Sequence, residues 1–225
     1  MDWEILRNLT PDGRKAILAT MVRRRYAAGN SLFFEGDPGD SLHLLAKGRV
    51  AIRITTPMGE TATLTVLGPG ETFGEQALLT ADARRTASAV ALEPAETLLL
   101  HRAEFQTLLR QHPSIADVLV EVLAAQVRRL SVLVVDAHFV DADRRVSRRL
   151  ADLAAMTPQA SAPLTIVLTQ DDLASMAGTS RPTTNRALKV LADDGLITVT
   201  RGKIVILDPE RLATLAYGRG WRPAR

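Results

Sequence analysis

The stretch "TQDDLASMAGTSRPTTNRALKVLADDGLI", residues 169–197, predicts two short helices joined by a tight turn. Thr169 is a suitable N-cap, and Asp172 three residues later completes the pattern of a capping box. Gly178 supplies the positive φ that a tight turn demands, and Ser180 is placed to cap a second helix. We therefore predict a helix-turn-helix unit here.

Polar side chains gather at the N-terminal, outward part of the second helix. In a helix-turn-helix, this part of the recognition helix meets base edges in the major groove of DNA. Arginine can bind O6 and N7 of guanine in a bidentate manner, and asparagine can do the same for adenine. A plain helical hairpin, which shows the same apolar spacing, is the alternative. The candidate base-contacting residues are Arg181, Thr183, Asn185 and Arg186.

The next segment, "LITVTRGKIVIL" at residues 196–207, predicts a two-stranded wing. Arg201 and Lys203 lie at its tip, where they are placed to reach phosphates. Residues 139–225 carry 13 Lys and Arg against 9 Asp and Glu, a net charge of +4, whereas residues 1–138 carry 15 against 16, or −1. A mildly basic C-terminal half is compatible with a polyanionic partner.

Upstream, apolar residues recur mostly at three- and four-residue steps from Ser114 to His138, which predicts a long helix. Its apolar arc is wider than one stripe and needs cover on two sides. One side is expected on the chain's own β-domain and the other on a second copy of the helix, which favours a homodimer; burial inside a monomer is the alternative. Asp141 is placed as the N-cap of a further helix, with a domain boundary near residues 138–141.

The first hundred residues have a different sequence pattern, with short β-prone runs in place of long helical periods. Residues 1–20 suggest two short helical pieces around a Pro-Asp-Gly break, and "RAEFQTLLRQH" at 102–112 predicts one helix. Between Arg25 and Leu100, short β-prone runs alternate with Gly, Pro and Asp punctuation. Several short strands at regular spacing with turn signals predict a β-roll or barrel.

Within the β-region, the stretch "FGEQALLTADARRTAS", residues 73–88, opens on Gly-Glu and closes on Arg-Arg-Thr-Ala. A carboxylate suits a sugar hydroxyl, and arginine presents a planar fork of donors that suits a phosphate. Charge-assisted hydrogen bonds of this kind are roughly twice as strong as neutral ones. The alternative is that Glu75 and Arg85 pair with each other across a loop.

A β-roll, then "FGE" and "RRTA" nine residues apart, then a long apolar helix and a winged helix-turn-helix together resemble the cyclic AMP receptor protein (CRP/FNR) family of bacterial transcription regulators. The resemblance covers essentially the whole chain. It implies an α+β protein with three parts: a cyclic-nucleotide-binding β-roll with flanking helices at 1–112, a dimerisation helix and hinge at 113–140, and a winged helix-turn-helix domain at 141–225.

The same resemblance implies that residues 73–88 form a phosphate-binding cassette. Gly74 then lets the backbone approach the ligand, Glu75 accepts the ribose 2′-hydroxyl, Arg85 pairs with the cyclic phosphate, and Thr86 donates to a phosphate oxygen. The expected effector is cAMP. Thr86 stands where the family often has Ser and resembles cyclic-GMP-binding modules, so cGMP and a regulator without ligand stay open.

For partners, the resemblance implies a homodimer on a palindromic double-stranded DNA site, with RNA polymerase as a further partner in the cytoplasm. The family's Ser-Arg-Glu-Thr pattern is replaced here by Ser180-Arg181-Pro182-Thr183. The glutamate that accepts from a cytosine amino group is therefore missing, and we expect a different DNA half-site.

Other classes of protein find little support. The 225-residue chain has no cysteine, which excludes iron–sulfur clusters and thiolate catalysis. A cupin-type metal enzyme needs paired histidines on a strand, and no His-x-His occurs, so neither a metal nor an enzymatic activity is expected. The four histidines are scattered and are expected at the surface or the core edge, which argues against haem: His43, His101, His112 and His138.

Overall fold

The computed structural model describes residues 6, 9–59, 61–80, 82–157 and 162–218. Its contacts divide the chain into two compact units. The first comprises residues 1–54 and 65–132, and the second comprises residues 55–64 and 133–225. Each unit is described by itself below.

The helices and strands from the N-terminus to the long helix occur in the following order: α1 (Pro11–Thr20), β1 (Val22–Tyr26), β2 (Ser31–Phe33), β3 (Ser41–Lys47), β4 (Val50–Thr55), β5 (Thr61–Leu67), β6 (Thr72–Phe73), a 3₁₀ turn (Glu75–Leu78), β7 (Ser88–Ala91), β8 (Ala95–His101), α2 (Arg102–Gln111) and α3 (Ile115–Phe139). The strands form two four-stranded sheets, in the orders β1-β8-β3-β6 and β2-β7-β4-β5. Pairs such as β3 with β8 and β4 with β7 are antiparallel.

Strand β3 lies between two apolar cores. Its first six residues are all buried, and successive side chains of a strand point to opposite faces. Leu42 and Leu44 belong to a cluster that includes residues of α1, α2 and α3, whereas Leu45 belongs to the cluster inside the β-roll. By the same alternation, Ser41 and His43 share the face of Leu45.

The C-terminal elements are α4 (Ala142–Ala155), β9 (Leu164–Val167), α5 (Gln170–Ala177), α6 (Arg181–Asp193), β10 (Ile197–Thr200), β11 (Lys203–Ile206) and α7 (Pro209–Tyr217). Helix α4 packs against α5, α6 and α7. Leu150, Leu173, Leu188 and Leu212 are buried in this core. The apolar spacing of each helix therefore supplies one wall of a shared interior.

A charged network joins the last turns of α3 to α4 and α7. Asp136 is only 2% exposed; one carboxylate oxygen accepts from Arg148 and the other from Arg149 Nη2 at 2.7 Å. Arg149 also pairs with Asp152 at 3.0 Å, and the Tyr217 hydroxyl donates to Asp152. Burial raises the pKa of both Asp152 and Tyr217. Residues 133–139 of α3 and every member of this network belong to the second unit.

The predicted α+β fold class is confirmed, with local differences. Pro-Asp-Gly forms the first turn of α1 rather than a break, because Thr10 caps it and proline is favoured at that position; the helical piece predicted before it lies almost wholly outside the described residues. The wing belongs to a three-stranded sheet, since β9 pairs with β11. Helix α7 was not predicted. Asp141 holds the N-cap position of α4, but its side chain makes no capping hydrogen bond.

Among the described residues, no helix has the length and apolar character needed to cross a membrane.

Candidate functional site

The turn after β6 places Gly74 against Arg85. Gly74 has a φ of +78°, and a Cβ built on it would lie 2.5 Å from Arg85 Nη1 and 3.1 Å from the Ser41 carbonyl oxygen. Any side chain here would be strained and would also push the guanidinium away. A glycine at this position is therefore a requirement of both the backbone and the neighbouring side chain.

The guanidinium of Arg85 is buried, with 8% of the residue exposed. Nη1 donates to the carbonyl oxygens of Ser41 at 2.8 Å and Gly74 at 3.3 Å, and Nη2 donates to Ser41 Oγ at 2.9 Å. The ring of Phe33 lies 4.1 Å below the guanidinium carbon. Nε is buried and has no hydrogen-bond partner. Since a buried cation without an anion is costly, this site fits an anionic ligand.

Glu75 lies at the start of the 3₁₀ turn and is only 5% exposed. Burial raises the pKa of its carboxyl, against the opposing effects of its own backbone hydrogen bond and of the charges on Arg129 and Arg85. Burial likewise lowers the pKa of Arg85, and Asp40 and Glu75 oppose that shift. In the described part of the chain, no ion pair joins Glu75 to Arg85. The alternative of a simple loop salt bridge is therefore not what the structure contains.

The two cassette residues on either side of Arg85 are exposed. Thr86 is exposed, beside the buried Arg85. Arg84 is exposed too and donates to the Gly36 carbonyl oxygen at 2.9 Å, which distinguishes it from its neighbour. The chain thus brings Gly74, Glu75 and Arg85 together inside the roll and leaves the Thr86 hydroxyl at its edge.

His43 departs from the expectation for the histidines. It is 3% exposed, inside the roll, and stacks on Phe73 with 4.9 Å between ring centroids. Burial, followed by the charge of Arg85, lowers the pKa of His43 to about 3. The expectation of a surface or core-edge position is wrong for His43, because the period of two in β3 turns it inward. It is a neutral aromatic neighbour of Phe33 at 5.5 Å.

Sequence reasoning also missed Ser41 and Phe33, which contact the guanidinium of Arg85 from outside the cassette. Ser41 lies 44 positions away from Arg85 in the chain. The alternation along β3 was the available signal, since it places Ser41 on the inner face with Leu45. Its pairing with Arg85 depends on sheet topology, which the local pattern does not give.

The helix-turn-helix is built as its caps predict. Thr169 Oγ1 accepts from the Asp172 backbone N–H at 3.1 Å, and the Asp172 carboxylate accepts from the Thr169 N–H at 3.2 Å. Gly178 adopts φ +56° and ψ +47° in the turn, and Ser180 Oγ accepts from the Thr183 N–H at 3.4 Å. The predicted capping box, glycine turn and second cap are all present.

Most of the predicted DNA-contacting side chains share an exposed location in the second unit. Helix α6 exposes Arg181, Asn185 and Arg186, and the wing exposes Arg201 and Lys203. Thr183 is half-buried and its hydroxyl lies 3.0 Å from Ser180 Oγ in the cap.

Two of these arginines already have acidic partners. Arg186 Nη2 lies 3.0 Å from Asp143 Oδ1, and Arg181 Nη1 lies 3.5 Å from Asp171 Oδ2. A DNA ligand would therefore have to replace these carboxylates.

Among the described residues, no group of three or more His, Asp or Glu side chains is arranged to hold a metal ion.

Comparisons with known proteins agree with both sites. Residues 23–112 match the model of the cyclic nucleotide-binding domain, and residues 144–215 match that of the Crp-like helix-turn-helix domain. The chain is 35% identical to the cyclic AMP receptor protein of Thermus thermophilus, over 95% of this chain and 97% of that protein. It is 32% identical to a CRP-like cAMP-activated global transcriptional regulator of Mycobacterium tuberculosis, over 94% of this chain and 96% of that one.

A solved structure of the c-di-GMP responsive global regulator CLP of Xanthomonas campestris superposes with a TM-score of 0.75 at 25% identity, covering 88% of this chain and all of that one. The two matched domains and the full-length relatives lead to one assignment: the chain is a cyclic nucleotide-responsive transcription regulator that belongs to the cyclic AMP receptor protein (CRP/FNR) family.

Proposed function

We propose that this chain is a non-enzymatic, homodimeric, cytoplasmic regulator that binds a palindromic DNA site under allosteric control by cAMP. The observation that carries the proposal is the buried Arg85, whose Nε has no partner and which lies beside Glu75 and Gly74. Arg85 binds the cyclic phosphate, Glu75 accepts the ribose 2′-hydroxyl, and the exposed Thr86 donates to a phosphate oxygen. Two full-length relatives are named as cAMP-binding or cAMP-activated regulators, which favours cAMP over cGMP as the effector.

Helix α3 supports the dimer. Ile115, Val118 and Val122 are buried, and the first two belong to the core cluster of the first unit. Other apolar residues of the helix are exposed in the single chain: Val120, Val127, Leu130, Val132, Val134, Val135 and Phe139. A second copy of α3 would cover Val120, Val127, Leu130 and Val134, which follow one another at steps of seven, three and four residues and so lie on one face of the helix. In this arrangement two recognition helices related by a two-fold axis meet half-sites about 34 Å apart.

In the DNA complex, Arg181, Asn185 and Arg186 read base edges and Thr183 supports the helix start. Arg201 and Lys203 contact phosphates. Lys203→Ala should therefore weaken all sequences alike and reduce the salt slope by about one unit. RNA polymerase is the further partner through which the bound dimer would change transcription.

The test is a titration of the purified protein with cAMP, cGMP and c-di-GMP, each followed by calorimetry and by footprinting on a selected palindrome. We expect cAMP to bind most tightly and to increase protection of the DNA, with DNA increasing cAMP affinity by the same factor. The matched variant Arg85→Leu should lose nucleotide binding and keep its unfolding temperature.

Each outcome decides one part of the proposal. Unchanged nucleotide affinity in Arg85→Leu would refute the pocket. Identical protection with and without nucleotide would refute the coupling, and tighter binding of cGMP or c-di-GMP would replace cAMP as the effector.

A further inference from the structure

The end of the Arg85 side chain is hydrogen-bonded to one residue outside the cassette among the described residues. Ser41, the first residue of β3, accepts from Nη1 through its carbonyl oxygen at 2.8 Å and from Nη2 through its hydroxyl at 2.9 Å. Ser41 is 3% exposed. Ser41 thus occupies the Nη1–Nη2 edge of the guanidinium.

The donors of Arg85 can be counted. A guanidinium carries five N–H donors in a rigid plane. Nη1 uses both of its protons, on Ser41 and Gly74, and Nη2 uses one, on the Ser41 hydroxyl. The proton of Nε and the second proton of Nη2 remain. Because Ser41 lies between the two Nη atoms, these remaining protons point together along the opposite, Nε–Nη2 edge.

Phe33 limits how the guanidinium can move. Its ring lies 4.1 Å from the guanidinium carbon and contacts the stacked rings of His43 and Phe73, at centroid distances of 5.5 Å and 6.0 Å. One face of the cation is therefore covered by an aromatic ring that is itself packed. An anion reaches the group in its own plane, and the Nε–Nη2 edge offers the parallel donor pair that binds two phosphate oxygens.

We propose that Ser41 and Phe33 are positioning residues that preset Arg85, so that its Nε–Nη2 edge binds two oxygens of the cyclic phosphate while its contacts with Ser41 stay in place. The inference rests on the proposed function, since it assumes that Arg85 binds the phosphate. It adds which edge of the cation binds and which residues fix that edge. It also implies that lysine cannot replace Arg85 without loss of nucleotide affinity. An ammonium group has no planar pair of donors that Ser41 and Phe33 could orient.

The first experiment measures affinities of cAMP and cGMP by calorimetry for Ser41→Ala and Ser41→Thr. Ser41→Ala removes the hydroxyl but keeps the carbonyl acceptor, and we expect both nucleotides to weaken by the same factor, about tenfold, as for loss of a hydrogen bond to a charged group. Ser41→Thr keeps the hydroxyl and should restore affinity. Ser147→Ala is the control, since that buried hydroxyl donates to the Asp143 carbonyl oxygen at 3.2 Å within the second unit and does not contact Arg85. Thermal unfolding checks that each variant folds.

The second experiment separates positioning from general support. Arg85→Lys retains the charge and should keep weak, measurable binding, and adding Ser41→Ala to it should cause no further loss. The Nε–H resonance of Arg85, assigned by its disappearance in Arg85→Lys, should shift downfield when cAMP saturates the parent protein, with a smaller shift in Ser41→Ala.

Three results would overturn the inference: parental affinity in Ser41→Ala, an equal loss in the Arg85→Lys background, or an Nε–H resonance that cAMP leaves in place. If Arg85→Leu itself binds nucleotide normally, the proposed function fails as well. If only Ser41→Ala behaves like the parent, the proposed function stands and the positioning role does not.

Discussion

Glu75 is a carboxyl whose burial raises its pKa above the ordinary value of 4.5. In the proposed complex it accepts a ribose hydroxyl, and the ionised form accepts more strongly than the protonated one. Nucleotide binding therefore favours deprotonation. We expect cAMP affinity to fall as the pH is lowered through the pKa of Glu75. Because that pKa is raised from 4.5, the fall should occur at a higher pH than for an ordinary glutamate.

The control is Glu75→Gln, which should bind more weakly with an affinity that does not change over this pH range. Calorimetry in buffers of different ionisation enthalpy should detect protons released on binding by the parent and not by the variant. An identical pH profile in parent and variant would assign the titration to another group.

Asp143 competes with DNA for Arg186 in the proposed complex. The two side chains are both exposed and lie 3.0 Å apart, and exposed ion pairs are worth about 0.2–1 kcal/mol. We expect Asp143→Asn to strengthen DNA binding by about 1.4- to fivefold, since that energy no longer has to be overcome. Fluorescence anisotropy with a labelled palindrome measures the change.

Two further variants isolate the contact. Asp193→Asn makes the same charge change at an exposed position near the end of α6, and it should have a smaller effect. In an Arg186→Ala background, Asp143→Asn should lose its benefit. A benefit that persists there would mean that Asp143 acts through general repulsion of phosphates rather than through Arg186.

At the scale of elements, α3 carries the prediction of a dimer. Leu130 is 43% exposed and does not belong to the apolar core cluster of the first unit. Leu130→Glu would place an unpaired carboxylate between the two α3 helices of the dimer. Burial of such a carboxylate destabilises the dimer by about 3–5 kcal/mol. We expect light scattering at micromolar concentration to give a dimer for the parent and a monomer for this variant.

Gln106→Glu adds the same charge at an exposed position of α2 and should remain dimeric. A parent protein that is monomeric at this concentration would contradict the role assigned to α3.

Elements with strong local signals were predictable from the sequence. The capping box at Thr169, the glycine turn at Gly178 and the long apolar period of α3 each arise within one stretch of chain, and the structure contains all three. Strand β1, "VRRRY", was missed because four of its five residues are exposed, so no alternation marks it.

The site was predictable only in part. Gly74, Glu75 and Arg85 lie in one cassette, whereas Ser41 reaches Arg85 through the pairing of distant strands. The stretch "LTIVL" at 164–168 predicts a strand, and the structure contains it as β9. Its pairing with the wing was not predicted for the same reason, since β9 joins β11 across α5 and α6.

On the scale of the whole molecule, α3 contributes residues to both compact units. Residues up to Val132 belong to the first unit and those from Leu133 onward to the second, whereas the sequence predicts a domain boundary near 138–141. The Asp136 network, which ties the last turns of the helix to α4, lies wholly within the second unit. The functional hinge itself stays a prediction.

The Asp136 network also limits how the chain can evolve. Loss of one member leaves a buried charge without its partner and lowers the free energy of unfolding by about 3–5 kcal/mol. Exchange of all members for apolar residues of similar size is often neutral or stabilising. Asp136, Arg148 and Arg149 should therefore be inherited or replaced as a set, with single changes purged by instability. Urea unfolding tests this by comparing Asp136→Leu with a combined variant that carries Asp136→Leu, Arg148→Met, Arg149→Met and Asp152→Asn, the last change neutralising the other partner of Arg149. The single variant should lose stability and the combined variant should recover it. If the single variant is as stable as the parent, the three positions are free to diverge independently.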